Sequence, residues 1–183
     1  MVATLSVAIS LAIAPVAHAQ DASPTPTPFA APSFVGDAQL VALFPATIAG
    51  EALQTQSING NELASVANAE AIAQLTAGLT LIGKTLDDLS LGFGSYSNGA
   101  INAVRIKGVD AATVAPQLLP LILNDMAEPV QTAATEAGKS VIRVTDGPDS
   151  PEANARYIYL HDDIIWDVEA PEPDLTEIFQ NLP

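Results

Sequence analysis

Gly78–Thr85 reads GLTLIGKT and meets the phosphate-loop pattern G-x-x-x-x-G-K-[ST] letter for letter. In that chemistry a strand leads into a glycine-rich turn and a helix follows. Its N-terminus and the loop amides hold the phosphates while the lysine neutralises them. Here the surroundings run the other way. Ile72, Leu75, Leu79 and Ile82 recur at helical spacing, so Gly78–Ile82 reads as the end of a helix. Gly83 stands where a C-terminal glycine belongs, and Lys84 suits the negative end of the helix dipole. Asp87 and Asp88 would repel a triphosphate. The pattern predicts a helix cap and no nucleotide.

His161 lies in YLHDDIIWD, with Asp162, Asp163 and Asp167 nearby. Imidazole and carboxylates together could ligate a metal, but consecutive strand residues point to opposite faces. The segment reads better as a hairpin with Asp162 and Asp163 at its tip. A two-residue turn sets Tyr159 opposite Trp166, whereas a three-residue turn pairs it with Ile165; the sequence leaves both open. If Tyr157, Tyr159 and Trp166 share an exposed face, with His161 beside them, they form a flat platform for a sugar ring or a partner. Cross-strand aromatics also pack sheets.

Asp146, Asp149 and Glu152 fall in DGPDSPEAN, a loop that offers oxygen ligands of the kind calcium takes. The spacing does not match a helix–loop–helix calcium motif, and Pro148 and Pro151 stiffen the segment. Weak calcium binding and a solvated acidic loop are the two readings. No G-x-S-x-G or S-x-x-K occurs, and cysteine is absent, which excludes a thiolate nucleophile, a zinc–thiolate site and disulfides. No catalytic residue and no other cofactor is expected.

The elements that must position these residues begin with a leader. Residues 1–19 combine an apolar stretch with an Ala17-His18-Ala19 cleavage pattern and predict a secretory signal peptide, although no Lys or Arg precedes the apolar run. Residues 20–35 are rich in Pro, Thr and Ala and read as an extended tether. The net charge of −15, with only six basic residues in no run, argues against nucleic acid as a partner.

From residue 36 to 183 the pattern is that of one globular domain. Asp37 caps a short helix through Leu43. Thr47–Ser57 reads as a hairpin around Ala49-Gly50-Glu51, and Asn59-Gly60-Asn61 as a turn and cap into a helical region. Leu89, Leu91 and Phe93 alternate, and Ser97-Asn98-Gly99 turns into a strand over Ala100–Lys107. Asp110 caps a helix carrying Val114, Leu118, Leu121 and Ile122, kinked or late-starting because of Pro116 and Pro120. Strands follow at Val130–Glu136, Ser140–Thr145, Arg156–Leu160 and Ile164–Glu169, then a closing helix at Asp174–Leu182. This order predicts an α+β fold: an antiparallel β-sheet built of hairpins, packed by two to four helices.

The stretches LFPATIAGEAL, LIGKTLDDLSLGFG, INAVRIKGVDAATVAPQLLPLILNDM, AGKSVIRVTD and YIYLHDDIIWDVEA carry a resemblance. The chain from about Leu40 onward resembles exported bacterial single-domain α+β proteins of unknown function. The resemblance implies export and one domain, and it brings no activity or ligand. The expectation is an exported, non-catalytic binding domain of the cell envelope or extracellular space. Its partner would be an envelope protein or glycan, and it would be secreted or held through an uncleaved leader. The alternatives are an envelope-directed hydrolase using acidic residues of the last third, and a calcium-stabilised module.

Overall fold

The computed structural model describes residues 34–147 and 155–183. The expected signal peptide, nearly all of the tether, and Asp149 and Glu152 lie outside the described residues.

Seven strands form one sheet in the order β3-β4-β5-β9-β8-β7-β6, with every neighbouring pair antiparallel. Their ranges are β3 (Gln54–Asn59), β4 (Leu89–Tyr96), β5 (Gly99–Ile106), β6 (Pro129–Glu136), β7 (Lys139–Asp146), β8 (Arg156–His161) and β9 (Ile164–Glu169). The sheet is two meanders, β3–β5 and β6–β9, joined where β9 docks on β5. A separate two-stranded ribbon, β1 (Thr47–Ile48) with β2 (Glu51–Ala52), turns through Ala49-Gly50. Five helices accompany them: α1 (Ala38–Val41), α2 (Gly60–Val66), α3 (Ala69–Leu81), α4 (Ala111–Ile122) and α5 (Glu172–Asn181). The α+β class with a hairpin-built antiparallel sheet is therefore what the chain adopts.

The sheet is covered on both faces. On one, Ile101, Ala103, Tyr157, Tyr159, Trp166 and Val168 pack under Leu40 and Phe44 beside α1 and under Leu175, Ile178 and Phe179 of α5. On the other, Leu89, Ile106, Val144, Ile158 and Ile165 meet Leu79 of α3 and Val114, Ala115 and Leu119 of α4. Five of the six β9 residues are buried as a result, and the strand shows no polar alternation.

Local differences from the sequence expectations have physical reasons. The 47–57 hairpin is shorter than expected. Leu53 is buried and its N–H donates to Ala46 O at 3.1 Å, after which the chain leaves the ribbon to pair along β4. The helical region after Asn59 breaks at Ala67-Asn68, where the Asn68 side chain accepts the Ala71 N–H at 2.7 Å and restarts the helix as α3. α4 starts directly after its Asp110 cap, so Pro116 and Pro120 do not delay it. Both prolines and Ala112 lie on the exposed side, so the carbonyls that lose an N–H partner can face water. The buried stripe of α4 is Ala111, Val114, Ala115 and Leu119, and Leu121 is 56 % exposed.

Candidate functional site

Three sequence-singled features land in places that alter their meaning. Gly78–Leu81 is the last turn of α3, and Ile82–Thr85 leads out of it. Gly83 takes φ +70° and its N–H donates to Thr80 O at 3.0 Å, while the Lys84 N–H donates to Leu79 O at 2.9 Å. Those two bonds are the Schellman closure of a helix. A 3-10 turn at Leu86–Asp88 and then β4 follow the lysine, in place of the helix that a phosphate loop leads into.

The aromatic residues of the 156–169 hairpin form no exposed platform. The turn is two residues long and Tyr159 stands opposite Trp166. Yet Tyr157, Tyr159 and Trp166 are 3 %, 8 % and 0 % exposed, because their face of the sheet is roofed by α1 and α5. Phe44 meets Trp166 edge-on at 5.0 Å, and Phe179 meets Tyr157 and Tyr159 edge-on at 6.4 and 6.1 Å. Cross-strand packing, the other reading of these residues, is what they do. His161 is half-buried at the margin, its Nδ1 3.1 Å from Tyr159 Oη and its Nε2 3.5 Å from Asp162 Oδ2.

Asp146 ends β7, and its Oδ1 accepts the Glu128 N–H at 2.8 Å. Asp149 and Glu152, the other loop carboxylates, are outside the described residues. Among the described residues no three His, Asp or Glu side chains are grouped as metal ligands would be.

The concave polar surface lies at the end of the sheet where β3 passes into α2 and β5 ends. A cleft of about 500 Å³ is lined by Gly36, Asn59, Asn61, Glu62, Ser65, Asp87, Ser90 and Lys107. Ser90 and Lys107, two of its lining residues, belong to a polar network around the buried Asp37. Asp37 caps α1 by accepting the Gln39 and Leu40 N–H groups at 3.0 and 3.1 Å with Oδ1. Oδ2 accepts Ser90 Oγ–H at 2.9 Å and faces Arg105 Nη1 at 3.7 Å and Lys107 Nζ at 3.9 Å. Burial pushes the Asp37 carboxyl up. The Leu40 N–H, the Ser90 hydroxyl, Lys107 and Arg105 outweigh it and hold the group below the ordinary carboxylate range.

The wall is a segment pinned by one carboxylate. Glu62, three residues after the Asn59 cap of α2, completes a capping box by accepting the Asn59 N–H at 2.9 Å. The same carboxylate accepts the Val35 N–H and the Gly36 N–H, the latter at 3.1 Å on Oε2. The Asn59 N–H lowers the Glu62 pKa most; burial opposes it, and the Val35 and Gly36 N–H groups add to the lowering, so the carboxyl stays below its usual value. Gly36 sits at φ +60°, and a Cβ there would lie 2.5 Å from Ser57 O, so only glycine lets the segment lie this close to β3.

Arg105 is shared: its Nε donates to both Asp163 oxygens, at 3.2 and 3.1 Å, while its guanidinium also faces Asp37. It thereby links the cleft to a second hollow of about 420 Å³ lined by Arg105, Gly108, Val109, Asp110, Asp162 and Asp163. Lys107, 48 % exposed, is the basic side chain that lines the first cleft. Asn61 amide donates to Asp87 Oδ1 across the rim.

Sequence reasoning found Asp37 and Asn59 as caps but not the cleft. Its lining comes from four separate stretches of chain, at 36, 59–65, 87–90 and 107, brought together by the β3–β4–β5 pairing. The available signal was Ser90, a small hydroxyl inside the apolar run LSLGFG, which is fully buried beside Asp37. Compared with known proteins, the chain matches no family model, no curated sequence and no solved structure.

Proposed function

We propose that this chain is an exported binding domain that holds a polar, carboxylate-bearing ligand of the cell envelope in the Gly36–Lys107 cleft, without covalent chemistry. The observation that carries this reading is the half-exposed Lys107 ammonium. Its Nζ lies 3.9 Å from Asp37, whose carboxylate Ser90 and Arg105 also hold in place. A pre-ordered lysine loses less side-chain freedom on meeting a carboxylate, and Asn61 and Ser65, whose side chains already donate to Asp87 and to Glu62 O, keep their oxygens as acceptors for a ligand. Glu62 and Asp87 give the cleft carboxylates as well, which suits a ligand carrying both charges, such as the peptide part of a peptide-bearing cell-wall glycan. Export is supported by the leader-like residues 1–19 and the Pro/Thr-rich residues 20–35.

Neither alternative has a specific observation in its favour. Both rim carboxylates, Glu62 with three backbone N–H groups and Asp87 with Asn61, already accept hydrogen bonds, and neither belongs to the last third that the hydrolase reading names. In the acidic loop Asp146 is already engaged by the Glu128 N–H.

The test is calorimetric titration with a soluble peptide-bearing cell-wall glycan fragment. Saturable binding that weakens with salt and is lost in Lys107→Ala supports the proposal. Binding undiminished in Lys107→Ala, or no binding, overturns it. Turnover of an ester, glycoside or peptide substrate that a single Asp or Glu to Ala change abolishes would favour the hydrolase instead.

A further inference from the structure

The two edges of the sheet are treated differently. Along β3, the Asp37 N–H donates to Ser57 Oγ at 2.7 Å and Gly36 lies against the Ser57 backbone, so the pinned segment covers that edge at Ser57, while Gln54–Gln56 stay exposed. β6 has no partner on its outer side among the described residues, and none of its eight residues is buried. It pairs with β7 in unbroken register from Pro129–Asp146 to Glu136–Lys139, without a bulge. Between Val130 and Thr135 it carries no charge and no proline, the devices that usually protect an edge.

The direction of each backbone group follows from the ladder. Gly147 N–H donates to Glu128 O at 2.8 Å, and a two-residue turn at Ala137-Gly138 closes the Glu136–Lys139 pair. Alternation then turns the N–H and C=O of Val130, Thr132, Ala134 and Glu136 toward β7, and those of Gln131, Ala133 and Thr135 outward. Pro129, which lacks an N–H, occupies an outward slot, as an edge strand requires.

We propose that β6 pairs antiparallel with β6 of a second copy of this chain, about a two-fold axis through Ala133. A two-fold normal to a continuous sheet sets Ala133 opposite itself and Gln131 opposite Thr135 of the second copy. Every outward N–H of the three residues then meets an outward C=O, so the edge is self-complementary. Centring on Thr132 instead sets Thr135 opposite Pro129, which has no N–H to give. Charge favours the same register: against the mutual repulsion of two chains of net charge −15, it lays the uncharged strip Val130–Thr135 along itself and places Glu136 opposite Val130, not another carboxylate.

Sedimentation of the full chain over about 1 µM to about 1 mM, the range of weak to moderate association, tests this. A monomer–dimer equilibrium is expected. Ala133→Pro removes an outward N–H and leaves the β6–β7 ladder whole, so it should weaken the dimer about a hundredfold with the monomer's thermal unfolding unchanged. Ala133→Lys, a change at an exposed side chain, should do the same by opposing two ammoniums and stands in if the proline variant unfolds. In this cysteine-free chain Ala133→Cys should form an intermolecular disulfide under mild oxidation, and Thr132→Cys, which does not face itself, should not. A chain monomeric throughout, a dimer unaffected by both Ala133→Pro and Ala133→Lys, or crosslinking at position 132 in place of 133 overturns the proposal.

Discussion

Asp37 shows how much one side chain can organise. It caps α1, satisfies the buried Ser90 hydroxyl and faces two cations, Arg105 and the Lys107 of the cleft. Asp37→Asn keeps the cap but removes the charge, and urea unfolding at pH 7 should show a loss of about 1–2 kcal/mol. The sign with pH follows from the depressed carboxyl. Its contribution is complete above the unfolded pKa of about 4 and is lost as pH falls through the lower folded value, so the gap between wild type and Asp37→Asn should close in acid. Arg156 is a second such residue. It was visible in the sequence only as the one basic group among the late acids. Burial opposes its charge, but paired bonds to buried Asp167 and a 2.7 Å bond to Asp125 raise its pKa further. Arg156→Ala leaves Asp167 buried and unpaired and should cost about 3–5 kcal/mol in the same measurement. Caps such as Asp37, Asn59 and Asp110 were legible because they act within three residues of themselves. The burial of Tyr157, Tyr159 and Trp166 was not, because it depends on α5, which arrives later in the chain.

Helix ends and strand faces account for most of what differs between pattern and structure in the elements. The Gly83 closure of α3 was readable from the stripe before it and the carboxylates after it, and it makes a lettered nucleotide motif into a cap. Gly83→Ala forces a Cβ residue to φ +70° and should cost about 1–2 kcal/mol. Millimolar ATP with magnesium should leave the unfolding temperature of the wild type unchanged; a rise that Lys84→Ala removes would restore the nucleotide reading. The buried face of α4 was displaced from the expected one, with Leu119 buried in place of Leu121. An apolar helix of Ala, Val, Leu and Pro has too little polar contrast to orient itself, and the β8–β9 sheet surface decides. Covering both faces of β9 hid its period of two for the same reason.

Strand order lay beyond local pattern altogether. Hairpins could be read from Ser97-Asn98-Gly99 and from Asp162-Asp163, yet the docking of β9 on β5 is what makes one sheet of two meanders. That junction also carries Arg105 between Asp37 and Asp163, so the cleft exists only in the assembled fold. The net charge of −15 repels a carboxylate at long range, so the attraction of the half-exposed Lys107 acts only within the cleft. The acidic loop has its own test. Saturation of a calcium site about a hundredfold above its dissociation constant adds about 2.7 kcal/mol, or roughly 5–10 °C in a domain of this size. The binding account expects no calcium-specific shift of that kind relative to chelator. Its central claim is met most directly by recording amide chemical shifts of the chain while a soluble peptide-bearing cell-wall glycan fragment is added. Saturable shifts clustered at Gly36, Asn61, Ser65 and Lys107, absent in Lys107→Ala, are the predicted result. Shifts confined to another surface, or none at these residues, would contradict it.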